Sequence, residues 1–186
     1  MNARRALAVA ALAVGLTASG SSAGGSMALD GKSRTKAQYG GTLNEPAANM
    51  GVDRVSNMSD PTMPERSDCT AGSCDVTELR LSLPKGSTTG WFVAAVTVQR
   101  TMNATAVLYD AKGRAVVYSD LMNPCCAGSF DYSGDELLPN TDYTLPLSVS
   151  RLAAGNYRLV VFDRGGVGTF HASVEFHAHP KDRRKG

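Results

Sequence analysis

The stretch Thr169-Phe-His-Ala-Ser-Val-Glu-Phe176 decides the fold, because apolar and polar residues alternate along its length. Successive side chains of a β-strand point to opposite faces, so this pattern predicts a strand with one buried and one solvent-facing side. The segment Tyr143-Thr-Leu-Pro-Leu-Ser-Val149 repeats the alternation. Pro146 has no N–H to donate to a neighbouring strand, which predicts that this strand lies at the edge of a sheet.

Other short apolar runs lie between turn residues, and none has the period of an amphipathic helix. They cover residues 79–83, 91–99, 104–109, 114–118 and 157–162. Strands with one solvent-facing side and one buried side are typical of two antiparallel sheets packed face to face. The sequence therefore predicts an all-β fold: an antiparallel Ig-like or jelly-roll-type β-sandwich of about seven to eight strands, preceded by a disordered segment. The stretch between Ser119 and Thr141 is expected to be irregular.

Residues 1–23 have the pattern of a cleavable signal peptide. Arg4-Arg5 precedes an apolar run, residues 6–16, that is too short for a membrane span, which needs roughly 20 apolar residues. The mature protein is therefore expected to be secreted and extracellular, in surroundings where thiols oxidise.

Two pairs of small residues are candidates for the −3 and −1 positions of the signal cut. Ser21 with Ala23 is the first choice, and Ser26 with Ala28 is the second. No cysteine lies near either position, so the sequence carries no lipoprotein signature.

Composition divides the rest of the chain into three segments. Residues 24–68 are rich in Gly, Ser, Asn, Pro and Asp, so they are expected to form a disordered linker or stalk. A disulfide-bonded β-sandwich is expected at residues 69–179, and a basic tail at residues 180–186. The formal net charge is only +2, which leaves no basic surface for nucleic acid outside that tail.

Four cysteines fall in two pairs, Cys69 with Cys74 and Cys125 with Cys126. In an exported chain an even number of cysteines predicts disulfides. A bond between the adjacent Cys125 and Cys126 would close a strained ring, so two bridges between the pairs are expected, with either connectivity. Zinc or copper on the four thiolates is the alternative, although this spacing is poor for a tetrahedral site.

Two pieces of sequence resemble known extracellular sandwiches. The hairpin Ala104-Thr-Ala-Val-Leu-Tyr-Asp-Ala-Lys-Gly-Arg-Ala-Val-Val-Tyr118 and the strand Leu152-Ala-Ala-Gly-Asn-Tyr-Arg-Leu-Val-Val161 are similar to the pre-peptidase C-terminal domain. That resemblance implies a non-catalytic module, appended to secreted hydrolases, that binds polymers or assists export and folding, sometimes with calcium. Extended to Ser119, the hairpin also resembles the BsuPI-type proteinase inhibitor domain, another Ig-like sandwich.

The segment Met122-Asn-Pro-Cys-Cys126 is the candidate contact loop of an inhibitor. Two bridges would hold Met122, Asn123 and Pro124 in place, and a loop that is rigid before binding loses less entropy on capture. The structural alternative is that the bridges only tie this long loop to the sandwich.

The last strand carries the candidate metal ligands Glu175, His177 and His179. Alternate strand residues lie about 7 Å apart on one face, and two histidines so placed can share zinc or copper. The alternative to a metal site is that these residues simply form the solvent-facing side of an edge strand. Calcium is a weaker alternative, because its candidate ligands are also common turn residues; they are Asp110, Asp120 and Asp131.

The sequence predicts no catalytic residues and therefore no enzyme, since no Gly-x-Ser-x-Gly motif is present and all three histidines lie in the last strand and its tail. The expected function is that of a secreted binding or accessory module acting on an extracellular protein or on a cell-wall or polysaccharide polymer. The alternatives are a secreted proteinase inhibitor that uses the disulfide-braced 119–141 loop, and a small extracellular metal-binding protein. A polymer binder should present exposed aromatic side chains on one face, with Trp91, Tyr132 and Tyr143 as candidates.

Overall fold

The computed structural model describes residues 25–44, 72, 74–120, 130–133, 136–139, 141–163 and 166–180. Only the backbone is described for residues 130–133 and 136–139. The strands are β1 (Ser26–Leu29), β2 (Lys36–Leu43), β3 (Cys74–Leu81), β4 (Gly90–Val98), β5 (Ala104–Tyr109), β6 (Ala115–Ser119), β7 (Phe130–Ser133), β8 (Glu136–Pro139), β9 (Tyr143–Leu152), β10 (Gly155–Asp163) and β11 (Gly168–Ala178). Nowhere in these ranges is there a helix long and apolar enough to cross a membrane.

Nine of these strands form the two layers of a β-sandwich. One sheet has the order β1-β3-β10-β5-β6 and the other the order β2-β11-β4-β9, while β7 pairs with β8. Neighbouring strands are antiparallel except β1 and β3, which are parallel. The predicted all-β sandwich is confirmed, with more strands than expected because β1 and β2 lie in a segment that the sequence does not mark as structured.

The core lies between the two sheets and is built from alternate residues of each strand. On β11, Phe170, Ala172, Val174 and Phe176 are buried, as the alternation predicts. Burying a side chain of valine or phenylalanine size stabilises a fold by about 1.5–3 kcal/mol. Strand β9 lies at the edge of its sheet, which confirms the position predicted from Pro146.

The expectation of a disordered segment at residues 24–68 is wrong for β1 and β2, so the sandwich begins well before residue 69. Strand β2 does alternate, but one of its inward positions is Gly41, which adds nothing to an apolar pattern. A Cβ at Gly41 would lie 2.7 Å from the ring of Phe170, so the absence of a side chain is what lets that ring pack. Residues 45–68 lie outside the described ranges.

The expectation of an irregular stretch at residues 119–141 is wrong in part. Strands β7 and β8 lie within it and pair as a hairpin, with Phe130 opposite Pro139 and Ser133 opposite Glu136. Residues 134 and 135 between them lie outside the described ranges.

Candidate binding face

The solvent-facing side of the four-stranded sheet, here called the outer face, consists of the residues that alternate with the core positions. Strand register aligns these residues in rows across β2, β11, β4 and β9. Most carry small or hydroxyl-bearing side chains, so the face is rich in hydrogen-bonding groups. Its members are Lys36, Gln38, Gly40, Thr42, Trp91, Val93, Ala95, Thr97, Thr144, Pro146, Ser148, Thr169, His171, Ser173, Glu175 and His177.

Trp91 stands at one end of the outer face and is 40% exposed, so its indole is open to solvent. Its indole lies beside the imidazole of His177, with 5.7 Å between ring centroids and 31° between ring planes. A β-bulge in β9 sets Ser150 and Arg151 opposite Trp91, and bulges commonly re-aim a side chain at the rim of a sheet. The indole is therefore both accessible and supported.

Lys36, Glu175 and His177 form a chain of contacts that leads to Trp91. The ammonium of Lys36 lies 2.8 Å from Glu175 Oε1, and His177 Nε2 donates to Glu175 Oε2 at 3.2 Å. The hydrogen bond from Lys36, followed by that from His177, lowers the pKa of Glu175 below its ordinary value. Glu175 thus stays ionised and offsets the charge of Lys36.

Much of the rest of the outer face carries uncharged polar side chains, beside the apolar Val93, Ala95 and Pro146. Thr97 and Thr144 share a hydrogen bond of 3.0 Å between their hydroxyls across β4 and β9. His171 lies opposite Thr97 on the other side of β4. These groups can each donate and accept hydrogen bonds, which suits a ligand with many hydroxyls.

The predicted metal ligands are not gathered into one set. Glu175 and His177 meet, but His179 Nε2 instead donates to the carbonyl oxygen of Ser150 at 2.6 Å. In the part of the chain that the structure describes, no three His, Cys, Asp or Glu side chains lie together as metal ligands. Ser150 lies in the bulge of β9, where pairing with β4 is interrupted, and its carbonyl oxygen accepts from His179.

Two of the predicted calcium ligands, Asp110 and Asp120, lie in different surroundings: one stabilises a turn and the other is buried. Asp110 Oδ1 accepts from the backbone N–H of Lys112 and Arg114, and its Oδ2 accepts from Arg114 Nε at 2.9 Å. Asp120 is buried, with 5% of its surface exposed. The side chain of Asp131 lies outside the described part of the structure.

Cys74 is disulfide-bonded and is buried at the start of β3. Cys69, Cys125 and Cys126 lie outside the described ranges, so the connectivity stays a prediction. The candidate inhibitor loop, Met122, Asn123 and Pro124, lies outside them as well.

Of the aromatic residues proposed for polymer binding, Trp91 is exposed and Tyr143 is not. Tyr143 is 1% exposed, and its hydroxyl donates to Met102 O at 2.8 Å and accepts from Ala104 N at 3.0 Å. The prediction of an exposed Tyr143 is wrong because this residue lies on the core side of β9. The side chain of Tyr132 is not among those described.

A second polar group, which the sequence does not reveal, lies where β2 faces β3. Thr77 Oγ1 donates to Asp75 Oδ1 at 3.2 Å, and the nearby hydroxyl of Tyr39 is buried. Burial raises the pKa of both Asp75 and Tyr39 above their ordinary values. The sequence gives no sign of this group, or of Lys36 on the outer face, because β2 itself is not recognised as a strand.

Comparisons with protein families and with curated proteins find no match. Among solved structures, a similar chain is the pre-peptidase C-terminal domain of collagenase from Bacillus anthracis. The sequence identity is 14% and the TM-score is 0.45, over 82% of this chain and 94% of that one. That domain belongs to the family that the hairpin 104–118 and the strand 152–161 resemble.

Proposed function

We propose that this protein is an exported, non-catalytic accessory module that binds an extracellular polymer through its outer face. The observation that carries the proposal is Trp91, an exposed indole held beside the ring of His177 on a surface where most side chains are small or carry hydroxyls. Exposed aromatic side chains supply large contact areas and lose little conformational freedom on binding, because they are stiff.

The chemistry of the outer face favours a neutral, hydroxyl-rich polymer such as a polysaccharide. Lys36 and Glu175 offset each other, while Thr97, Thr144 and Gln38 offer uncharged donors and acceptors. A sugar ring presents an apolar face that can stack on an indole and hydroxyls that can pair with such groups. Net charge therefore contributes little to this recognition.

The dimensions of the outer face suit an extended ligand. The nine residues of β4 run about 30 Å at roughly 3.3 Å per residue, and the strands are about 4.8 Å apart. An extended sheet surface of this size accommodates a length of polymer better than a small molecule, which usually needs a concave pocket.

The ionisable groups of the outer face support binding in preference to catalysis. A general base works best when its pKa lies near the pH of the reaction. The contacts from Lys36 and His177 move the pKa of Glu175 away from that range. Glu175 is thereby suited to fix the position of its neighbours.

A pull-down with insoluble polysaccharides tests the proposal. The secreted protein is incubated with cellulose and with chitin, and collagen fibres serve as a protein polymer for comparison. Trp91→Ala is expected to weaken binding to the polysaccharide about tenfold, since loss of an aromatic anchor from a binding surface commonly costs over 1 kcal/mol. Binding is also expected to change little between low and high salt, because the face is close to neutral.

Val116→Ala provides the matched control, since Val116 is an exposed apolar residue, at 37%, on a strand of the other sheet. This variant is expected to bind as tightly as the wild type, and circular dichroism should show both variants folded. Equal binding by Trp91→Ala and wild type, binding to collagen alone, or no binding to any of the polymers would contradict the proposal.

A further inference from the structure

We infer that the mature protein begins at Gly24, because the sandwich uses the residues that directly follow this position. The two candidate signal cuts, after Ala23 and after Ala28, offer the same small side chains to a signal peptidase. Strand β1 begins between them and continues past the second. The inference presupposes the export signal predicted at residues 1–23 and is independent of what the outer face binds.

Strand β1 closes one edge of the five-stranded sheet by pairing in parallel with β3. Where the pairing begins, Glu78 N donates to Gly25 O at 2.8 Å; where it ends, Ser82 N donates to Leu29 O at 2.9 Å. A cut after Ala28 would remove Gly25 and all of β1 except Leu29. The backbone groups of β3 on that side would then lose their partners and form an unprotected sheet edge.

The second cut would also place a charged terminus on a core residue. Leu29 is 1% exposed and belongs to the main hydrophobic core. After such a cut its backbone nitrogen would be an ammonium group, and burying an unpaired charge is costly, so Leu29 would have to leave the core. A terminus at Gly24 avoids this conflict, because the next residue, Gly25, is exposed.

The pairing of β1 also removes the second site once the chain has folded. A peptidase that cuts between backbone atoms needs an extended segment whose hydrogen-bonding groups are free to pair with the enzyme. In the folded protein Ser26–Ala28 is already paired with Glu78–Arg80. A cut after Ala23 therefore releases a chain in which the alternative site becomes part of the sheet.

Export of the full-length chain, followed by N-terminal sequencing and intact mass measurement, tests this assignment. The secreted protein is expected to begin at Gly24. A secreted protein that begins at Leu29 or within β1, or one that retains its signal, would overturn the inference.

Two leucine substitutions form a matched pair for the same experiment. Ala28 is exposed on β1, so Ala28→Leu leaves the core untouched and is expected to be cut and secreted like the wild type. Ala23→Leu removes the small side chain at the proposed site and is expected to accumulate as uncut precursor. Loss of processing in Ala28→Leu would show that the signal is cut after Ala28, and a stable, protease-resistant Ala23→Leu product that begins at Leu29 would show that the fold does not depend on β1. Either outcome would overturn the inference.

Discussion

At the scale of single residues, the buried hydroxyls of two tyrosines show how the value of a hydroxyl depends on its partners. The hydroxyl of Tyr143 lies between Met102 O and Ala104 N, so it ties the start of β9 to the start of β5 in the other sheet. The hydroxyl of Tyr39 is equally buried, yet it has no hydrogen-bond partner in the described structure. The ring of Tyr39 packs edge-on against Phe170, with 5.7 Å between centroids, so its stabilising role lies in its apolar atoms.

Replacing each tyrosine by phenylalanine separates these roles. Tyr143→Phe is expected to lower the free energy of unfolding by about 1–3 kcal/mol, because it leaves a buried N–H and a buried carbonyl without this partner. Tyr39→Phe is expected to leave stability unchanged or to raise it by up to about 1 kcal/mol, since it removes a buried unpaired hydroxyl. Urea unfolding monitored by circular dichroism measures the free energy of unfolding of both variants. Equal losses of stability in the two variants would contradict the different roles given to the two hydroxyls.

At the scale of the element, the β5–β6 hairpin depends on one carboxylate. Asp110 accepts from the backbone N–H of Lys112 and Arg114 and from the guanidinium of Arg114. Gly113 closes the turn with φ of 79°, a conformation that favours glycine. The backbone hydrogen bond from Arg114, followed by its side-chain contact, lowers the pKa of Asp110 below its ordinary value.

The lowered pKa fixes the direction of a pH effect. Asp110 contributes stability above the pKa of an unfolded aspartate, about 3.9, and this contribution is lost as pH falls through the lower folded-state pKa. Asp110→Ala is therefore expected to lower the Tm at neutral pH, with the difference from wild type shrinking in acid. Lys112→Ala is the control, because only the backbone of Lys112 takes part in this turn. Thermal unfolding is measured from neutral pH down to pH values below the pKa of Asp110. A Tm difference between Asp110→Ala and wild type that persists unchanged in acid would contradict the stabilising role of the ionised carboxylate.

The individual strands also show how much of this fold can be predicted from the sequence. Strands β9 and β11 are recognisable because each has its own apolar alternation, and the packed sandwich preserves it. Strand β1 is four residues long and is held by its partner β3, so its own residues carry too little pattern to identify it. In the candidate site, Trp91 is foreseeable as an aromatic residue on a strand. Its support is not, because Lys36 reaches Glu175 only through the pairing of β2 with β11.

At the scale of the molecule, the N-terminal segment joins the two sheets. It leaves β1 in one sheet, turns at Asp30, which accepts from three backbone N–H groups, and enters β2 in the other. There Lys36 lies opposite Glu175 of β11, almost at the far end of the chain. Pairings between residues so distant in sequence form late and slowly, because the chain entropy lost in closing the loop precedes the contacts that offset it.

The disulfide at Cys74 is expected to support this non-local architecture. Cys74 lies opposite Phe162, where β3 pairs with β10, and the sequence predicts its partner as Cys125 or Cys126. A bridge across a loop of about 50 residues restricts the unfolded chain by about 4 kcal/mol in the chain-entropy model, and measured values are commonly 2–4 kcal/mol. Reduced and alkylated protein is therefore expected to unfold at clearly lower urea concentration than oxidised protein. Cys74 is only 6% exposed, so reductant should reach it slowly under native conditions and quickly in urea. Equal unfolding midpoints for the oxidised and reduced forms would show that packing between the sheets, and not the bridge, holds the start of β3 in place.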